Sequence, residues 1–326
     1  MLTRLLEQKN GPEVLTGRCI RARLAENDCT VCETLCPFSA ISTGNSVEID
    51  GTKCTDCGLC AAGCPSSAIQ NPRLSIGSVL GQLRKIPQPV LGCKTKSNSD
   101  SHVKVDCLGW LDAEKLLILE FGLTQPVQIN CSPCHSCKNY PAIRQMVKTY
   151  NVLRESLPDG WQQVQIVAEK HELHFQPVVH TRREFFRNFR SVLIQEVRER
   201  VVNTENDGDV PYGEKSLPES RMLLNLVLDK QPDAVRSTLA ERIFPRLKFT
   251  EACNGCGDCE AICPTPALNA EEPDMPPKFL PNQCLECGLC EPFCPENAIR
   301  FDHASLYQIK ESSLEFVEPE RKIGAI

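Results

Sequence analysis

Apolar residues follow different rhythms along this 326-residue chain, and the middle third is the easiest to parse. Residues 88–91, 103–106, 127–130 and 164–167 are short apolar runs bounded by polar or turn-forming residues, the mark of buried strands. Between the second and third runs Asp112 is placed to cap a helix reaching Phe121, and Leu116, Leu117, Leu119 and Phe121 give that helix one buried side. A second helix is expected over 141–156. Strands alternating with helices at this spacing predict a small α/β domain over 73–175 with a mostly parallel sheet. Residues 176–245 read as a helical connector. Within it Phe185, Phe186, Phe189, Leu193 and Val197 form one apolar stripe, residues 203–220 make a Gly- and Pro-containing linker, and 221–228 and 234–243 are further helices. At the two ends only short strands at 46–50 and 278–280 stand out, each expected to pair antiparallel with residues near the opposite end of its segment.

What the ends carry instead is cysteine, in runs. The C-terminal segment reads Cys253-x2-Cys256-x2-Cys259-x3-Cys263-Pro264, and after an intervening stretch Cys284-x2-Cys287-x2-Cys290-x3-Cys294-Pro295. The N-terminal segment repeats it. Cys54-x2-Cys57-Gly-Leu-Cys60-x3-Cys64-Pro-x2-Ala-Ile69 matches Cys284-x2-Cys287-Gly-Leu-Cys290-x3-Cys294-Pro-x2-Ala-Ile299. Its first run, Cys29-x2-Cys32-x3-Cys36-Pro37, holds three of the four expected cysteines, and Cys19 further upstream supplies the fourth across a loop insertion. Zinc sites use two C-x2-C pairs, and seldom a third cysteine at the same spacing or a fourth followed by proline. Disulfides need an oxidising compartment, and no export signal is expected: residues 1–9 are a short amphipathic stretch without an apolar core.

These doubled runs resemble two-cluster bacterial ferredoxins, in which three thiolates of a run wrap one iron–sulfur cube and the fourth completes its neighbour. The resemblance implies four 4Fe–4S clusters. One would be held by Cys253, Cys256, Cys259 and Cys294, another by Cys284, Cys287, Cys290 and Cys263. In the N-terminal module one would use Cys19, Cys29, Cys32 and Cys64, or, with Cys19 a plain buried thiol, would hold three irons or be absent, and its neighbour would use Cys54, Cys57, Cys60 and Cys36. The expected architecture is thus an α+β multidomain chain. Ferredoxin-like dicluster modules over 1–72 and 246–304 flank the small α/β domain and its helical connector, and a tail covers 305–326.

The central domain has five cysteines of its own. Cys93, Cys107 and Cys131 each follow a predicted strand, so a parallel sheet gathers them along its carboxyl edge, where such folds place ligands. Cys134 and Cys137 lie in the loop before the next helix, near its electropositive end. Four of the five are expected to hold a further centre: an iron–sulfur cluster, either 2Fe–2S or 4Fe–4S, or structural zinc, with redox-active thiols as the remaining alternative. His135 is expected to face solvent or to support the ligands. Residues 103–144 resemble the delta subunit of methyl-viologen-reducing hydrogenases, a small iron–sulfur protein that hands electrons between complexes.

Composition narrows the function. The chain has 21 cysteines, 6% aromatic residues and a formal charge of −6, which argues against nucleic acid. Four oxidised cubes with their thiolates would add roughly eight more negative charges, favouring positively charged docking faces. No apolar run is long enough to span a membrane, and a reducing, cytoplasmic setting is expected. Thr181-Arg-Arg-Glu-Phe-Phe-Arg187 imitates a twin-arginine signal, but it is internal and charged residues follow it. His171-Glu-Leu-His174 is one residue short of a metalloprotease motif, and no dinucleotide or phosphate loop occurs. The expectation is an electron-transfer protein or subunit, passing electrons to or from redox partners or a larger oxidoreductase without a catalytic site of its own. The alternative is a redox enzyme whose central cysteine site reduces a disulfide or sulfur compound, because four ligands leave one thiol over.

Overall fold

The computed structural model describes residues 11–157, 161–177, 214–272 and 274–302. The expected stripe from Phe185 to Val197, the twin-arginine-like stretch, most of the linker, the tail and residues 1–9 lie outside the described residues.

The N-terminal module runs β1 (Glu13–Val14), α1 (Ile20–Arg23), α2 (Val31–Leu35), β2 (Ile41–Thr43), β3 (Val47–Ile49), α3 (Leu59–Gly63) and β4 (Ile69–Gln70). Strand β3 does not reach for the far end of the module, as the apolar pattern suggested. It folds back on β2 with Ile41 opposite Ile49, because the turn at 44–46 is too short for anything but a hairpin. The end-to-end pairing belongs to β1 and β4, with Val14 opposite Ile69.

Next come α4 (Ile76–Leu83), β5 (Val90–Cys93), β6 (Val103–Val105), α5 (Ala113–Gly122), β7 (Val127–Asn130), α6 (Tyr140–Ser156) and β8 (Val164–Val167). The four strands form one sheet in the order β6-β5-β7-β8, and every pairing is parallel. From β5 the chain steps to one side and then crosses to the other, so the switch point lies between β5 and β7. Asp112 caps α5 by accepting from the Lys115 N–H at 2.9 Å. That helix is buried on every side and not along one stripe, because α4, α6 and a later helix all pack on it. Its polar side chains are accordingly satisfied inside. Lys115 pairs with Asp112, and the Glu120 carboxylate accepts from the N–H groups of Gln162, Gln163 and Val164.

Helices α7 (Glu219–Leu228) and α8 (Asp233–Ile243) follow. They join the central core through Leu223, Leu224, Val227, Leu228, Leu239 and Ile243. Glu219 also caps α4, accepting from the N–H groups of Ile76 and Gly77 at 3.2 and 3.0 Å.

The C-terminal module comprises β9 (Arg246–Phe249), α9 (Asp258–Ile262), β10 (Leu268–Asn269), β11 (Lys278–Phe279), α10 (Cys290–Phe293) and β12 (Ile299–Asp302). It repeats the N-terminal plan. Again the inner strand, β11, pairs with its sequence neighbour β10, while β9 and β12 close the two ends. Helix α1, built from the residues inserted between Cys19 and Cys29, leaves its own module and docks here. Ile20 is buried among Cys259, Ile262, Leu268 and Leu289, with Leu24 and Cys29 packed alongside.

Candidate metal centres

Each C-x2-C-x2-C loop turns by stepping into left-handed backbone. Asp56 and Gly58 do so in the N-terminal module, Gly255 and Gly257 in one C-terminal run, and Glu286 and Gly288 in the other. Two such residues per loop curl it so that three thiols face one side. The three-residue step to the fourth cysteine then carries that thiol away, and a residue of positive φ closes the turn at Ser39, Ser67 and Asn297.

The result is a set of cavities walled by four thiols each. One is lined by Cys253, Cys256, Cys259 and Cys294, a second by Cys263, Cys284, Cys287 and Cys290, and a third by Cys36, Cys54, Cys57 and Cys60. In every case three thiols belong to one run and the fourth to the other. The remaining N-terminal cysteines are also neighbours: Cys32 lies within electrostatic reach of Cys64, Cys29 and Cys19. The rest of each wall is mostly apolar, for example Phe38, Ile41, Ile49 and Leu59 in the third cavity.

Such a donor set fits an iron–sulfur cube. Burial, with neighbouring thiols adding to it, pushes Cys32 and Cys287 up to about 12 and Cys259 up to about 11, and it raises Cys60, Cys284 and Cys290 as well. Four such thiols do not ionise together in a shared apolar hollow unless a cationic core balances them, so binding the core and releasing their protons are one event. Three of the fourth cysteines also receive a backbone hydrogen bond at sulfur. Backbone N–H groups of Ala40, Ala68 and Ala298 donate to the sulfurs of Cys36, Cys64 and Cys294 at 3.3, 3.2 and 3.3 Å. Hydrogen bonds to ligand sulfur are among the levers that set cluster potential. Cys263 departs from this pattern, because Pro266 stands where the other runs adopt positive φ; there the Thr265 hydroxyl lies 3.6 Å from the sulfur.

In the central domain Cys93 ends β5, Cys107 lies just past β6 and Cys131 just past β7, so the carboxyl edge of the sheet does gather them. Cys131 is raised by its hydrogen bond with Cys134 and by burial, and Cys134, Cys107 and Cys93 all lie near enough to add to it. The same hydrogen bond lowers Cys134. Cys137 is half-buried, and its N–H donates to the Cys134 carbonyl at 2.9 Å. The Lys96 N–H donates to the Cys93 sulfur at 3.1 Å. His135 is exposed and its Nδ1 lies 3.1 Å from the Ser132 carbonyl. Among the described residues no three His, Cys, Asp or Glu side chains are gathered as one bound metal ion requires; the ferredoxin-run thiols surround hollows instead of meeting at a point.

The sites adjoin one another. Cys60 lies within electrostatic reach of Cys32, Cys107 of Cys57, and Cys290 of Cys259. The loop at Gly58 rests directly on Trp110, leaving no room for a Cβ, which would come within 2.7 Å of the Trp110 Cβ. Three arginines are buried among the described residues, and none was legible in the cysteine pattern. Arg18, beside Cys19, donates to the Ser216 hydroxyl at 2.7 Å. Arg23 of α1 donates to the Ile262 carbonyl at 2.9 Å. Arg221 of α7 binds Glu114 and the Cys284 carbonyl. No sequence signal marks them: Arg23 stands two residues after Arg21, and Arg221 follows Pro218, Glu219 and Ser220.

Among the described residues no helix is long and apolar enough to cross a membrane. No curated protein and no solved structure matches the chain. Two family patterns do: residues 239–299 match the 4Fe-4S dicluster domain, and residues 47–70 match the 4Fe-4S binding domain. The chain therefore carries 4Fe–4S ferredoxin-type domains in both of its cysteine-run segments, which supports an iron–sulfur electron-transfer role.

Proposed function

We propose that this chain is an electron relay, holding four 4Fe–4S cubes and a fifth centre in the α/β domain, and serving redox partners or a larger oxidoreductase. The reading rests above all on the cavities walled by exchanged cysteines, three from one run and one from the other. When bound, each cube accepts or gives up a single electron. Everything else is done by the protein. The buried, largely apolar walls exclude water, the N–H groups at Ala40, Ala68 and Ala298 steady the thiolates, and the module contacts keep successive sites adjacent.

Those contacts suggest an order. The central group of Cys93, Cys107, Cys131 and Cys134 meets the site of Cys36, Cys54, Cys57 and Cys60 through Cys107 and Cys57. Cys60 and Cys32 link that site to Cys19, Cys29, Cys32 and Cys64. Helix α1 then carries the path to the C-terminal module, where Cys290 and Cys259 join the last two sites. The resemblance of residues 103–144 to a hydrogenase delta subunit agrees with a relay whose α/β domain docks a partner.

A second reading draws on the hydrogen-bonded pair Cys131 and Cys134, with Cys134 held low by that bond. Such a pair suits thiol chemistry on a disulfide or sulfur substrate. The variant C134S separates the two. In a relay Cys134 is a ligand, so the central metal is lost while the iron of the cysteine-run modules stays. A sulfur-reducing enzyme keeps the metal that its wild-type form holds and loses turnover on a disulfide or sulfur substrate, and that outcome overturns the relay.

A further inference from the structure

Charge is unevenly spread along the chain. Residues 251–296 hold nine Asp and Glu side chains against one basic residue, Lys278. Residues 131–154 hold Lys138, Arg144, Lys148 and Arg154 and no acid at all. That second stretch begins at Cys131 and runs through the loop thiols into α6. A chain of formal charge −6 is thus basic where its central cysteines lie.

The fold sets these charges around the central thiols. Helix α6 turns Ala142, Ile143 and Met146 inward, with Ala142 close against Gly109. Arg144 stands exposed on the other side, and Lys148, half-buried, follows it one turn on. Lys138 is exposed in the loop that carries Cys134 and Cys137. Lys96 comes from the loop after β5; it too is exposed, and its backbone N–H donates to the Cys93 sulfur at 3.1 Å. Acids of the same sheet edge are matched by other cations. Asp106, just past β6, accepts from Lys94 Nζ at 2.7 Å, and Asp100 lies 3.5 Å from Lys170 Nζ. Among the described residues no carboxylate pairs with Lys96, Lys138 or Arg144. An iron–sulfur centre with four thiolates would bring a charge of about −2, which the four cations outweigh.

We infer that the face made by Lys96, Lys138, Arg144 and Lys148 is where the α/β domain docks a one-electron carrier protein with an acidic surface around its own redox centre. A positive face beside a buried centre attracts such a carrier and orients it, and steering of this kind raises association rates by about 10- to 1000-fold at low salt. The charge of the whole chain favours positively charged partners, and this face reverses that preference locally. The acids of residues 251–296 repel the same carrier and confine it to the α/β end. One electron passes between the carrier's centre and the central one, the first oxidised as the second is reduced or the reverse, and no proton or bond is exchanged.

The inference rests on the relay reading, and the experiment tells the two apart. Oxidised holoprotein purified without oxygen is first mixed with dithionite, and iron–sulfur absorbance that does not bleach sinks the relay reading itself. With bleaching shown, the probe is a reduced acidic 2Fe–2S ferredoxin. Its oxidation by wild-type protein, R144E, K138E/R144E and K230E is followed by stopped flow at low and high salt. Lys230 is exposed between α7 and α8, and K230E alters the net charge as much as R144E does. The wild-type rate constant is expected to fall about tenfold or more between about 20 and about 300 mM salt. At low salt K138E/R144E is expected to keep its metal and to react about tenfold more slowly, R144E about threefold more slowly, and K230E within roughly twofold of wild type. All four should converge at high salt. A wild-type rate that is undetectable or does not fall with salt, K138E/R144E equal to wild type, or K230E slowed as much as R144E overturns the inference. So does sedimentation showing wild-type protein self-associated and R144E monomeric, because a second copy then occupies the face. If K138E/R144E loses metal, R144E, in the second turn of α6, decides by the same comparison.

Discussion

Two glycines at equivalent places in the repeat offer a controlled test of how the N-terminal module docks on the α/β domain. Gly58 and Gly288 both follow the second cysteine of a C-x2-C-x2-C loop, and both are left-handed, at φ +76° and +75°. Alanine in that conformation costs about 1–2 kcal/mol at either position. The surroundings differ. A Cβ at Gly288 meets nothing within 4 Å, whereas one at Gly58 falls 2.7 Å from the Trp110 Cβ and 2.8 Å from its Cα. Backbone cannot swing aside as a side-chain tip does, so overpacking adds about 1–3 kcal/mol there. G58A is therefore expected to cost about 2–5 kcal/mol and G288A about 1–2 kcal/mol. Proteins with tightly bound cofactors do not unfold in one step, so the assay must follow each region separately. Denaturant-induced loss of the visible sulfur-to-iron absorbance is compared with exchange protection of the amides in 54–60 and 284–290. A larger loss of protection around 54–60 in G58A than around 284–290 in G288A supports the docking. Equal losses would show that the loop does not rest on Trp110, and the adjacency of Cys57 and Cys107 would fall with it.

Further outcomes follow from other buried contacts. E114A leaves Arg221 without its carboxylate inside the protein and should destabilise the junction of α5, α7 and the Cys284 loop by about 3–5 kcal/mol, read from denaturant midpoints; a loss below 1 kcal/mol would mean that the pair is solvated. E120A removes the acceptor for three N–H groups before and within β8, and amides 162–164 should lose exchange protection while those of β5 keep theirs. C131S should remove the central metal and leave the iron of the ferredoxin-type domains in place, measured by metal analysis after gel filtration. Iron chelation should unfold the cysteine-run modules first. Among the described residues the buried cluster inside the N-terminal module is small, formed by Cys32, Ile41, Cys60 and Ile69, whereas the α/β core continues through α4–α8 and should retain its sheet without iron.

How much of this was legible depended on how local the cause was. The run Val127–Asn130 reads as a strand because four consecutive residues decide it, and the structure agrees residue for residue. The cap at Asp112 is local too. Helix α4 has a local cause as well: Ile76, Val79, Leu80 and Leu83 recur at helical spacing behind Ser75, whose hydroxyl accepts from the Ser78 N–H. The pairing of β3 was misjudged because alternation shows that a strand exists and not which neighbour it takes. Contacts made across most of the chain left no pattern at all. Nothing around Arg23 announces Ile262, and nothing around Glu114 announces Arg221. The one-sided reading of α5 failed for that reason, since the helix covering its other flank lies about a hundred residues later. Of the five central cysteines, strand ends placed three at one edge, but which of the loop thiols turned inward depended on the short helical turn at Cys134–Ser136.

Metal and acid-labile sulfide analysis of protein purified without oxygen bears most directly on the whole account. Four cubes require roughly sixteen iron atoms per chain with as many sulfides, and an iron–sulfur centre on Cys93, Cys107, Cys131 and Cys134 adds about two or four more of each. Iron and sulfide in those proportions are the expected result. Zinc in the cysteine-run modules, or iron far below sixteen in fully occupied protein, would contradict the relay.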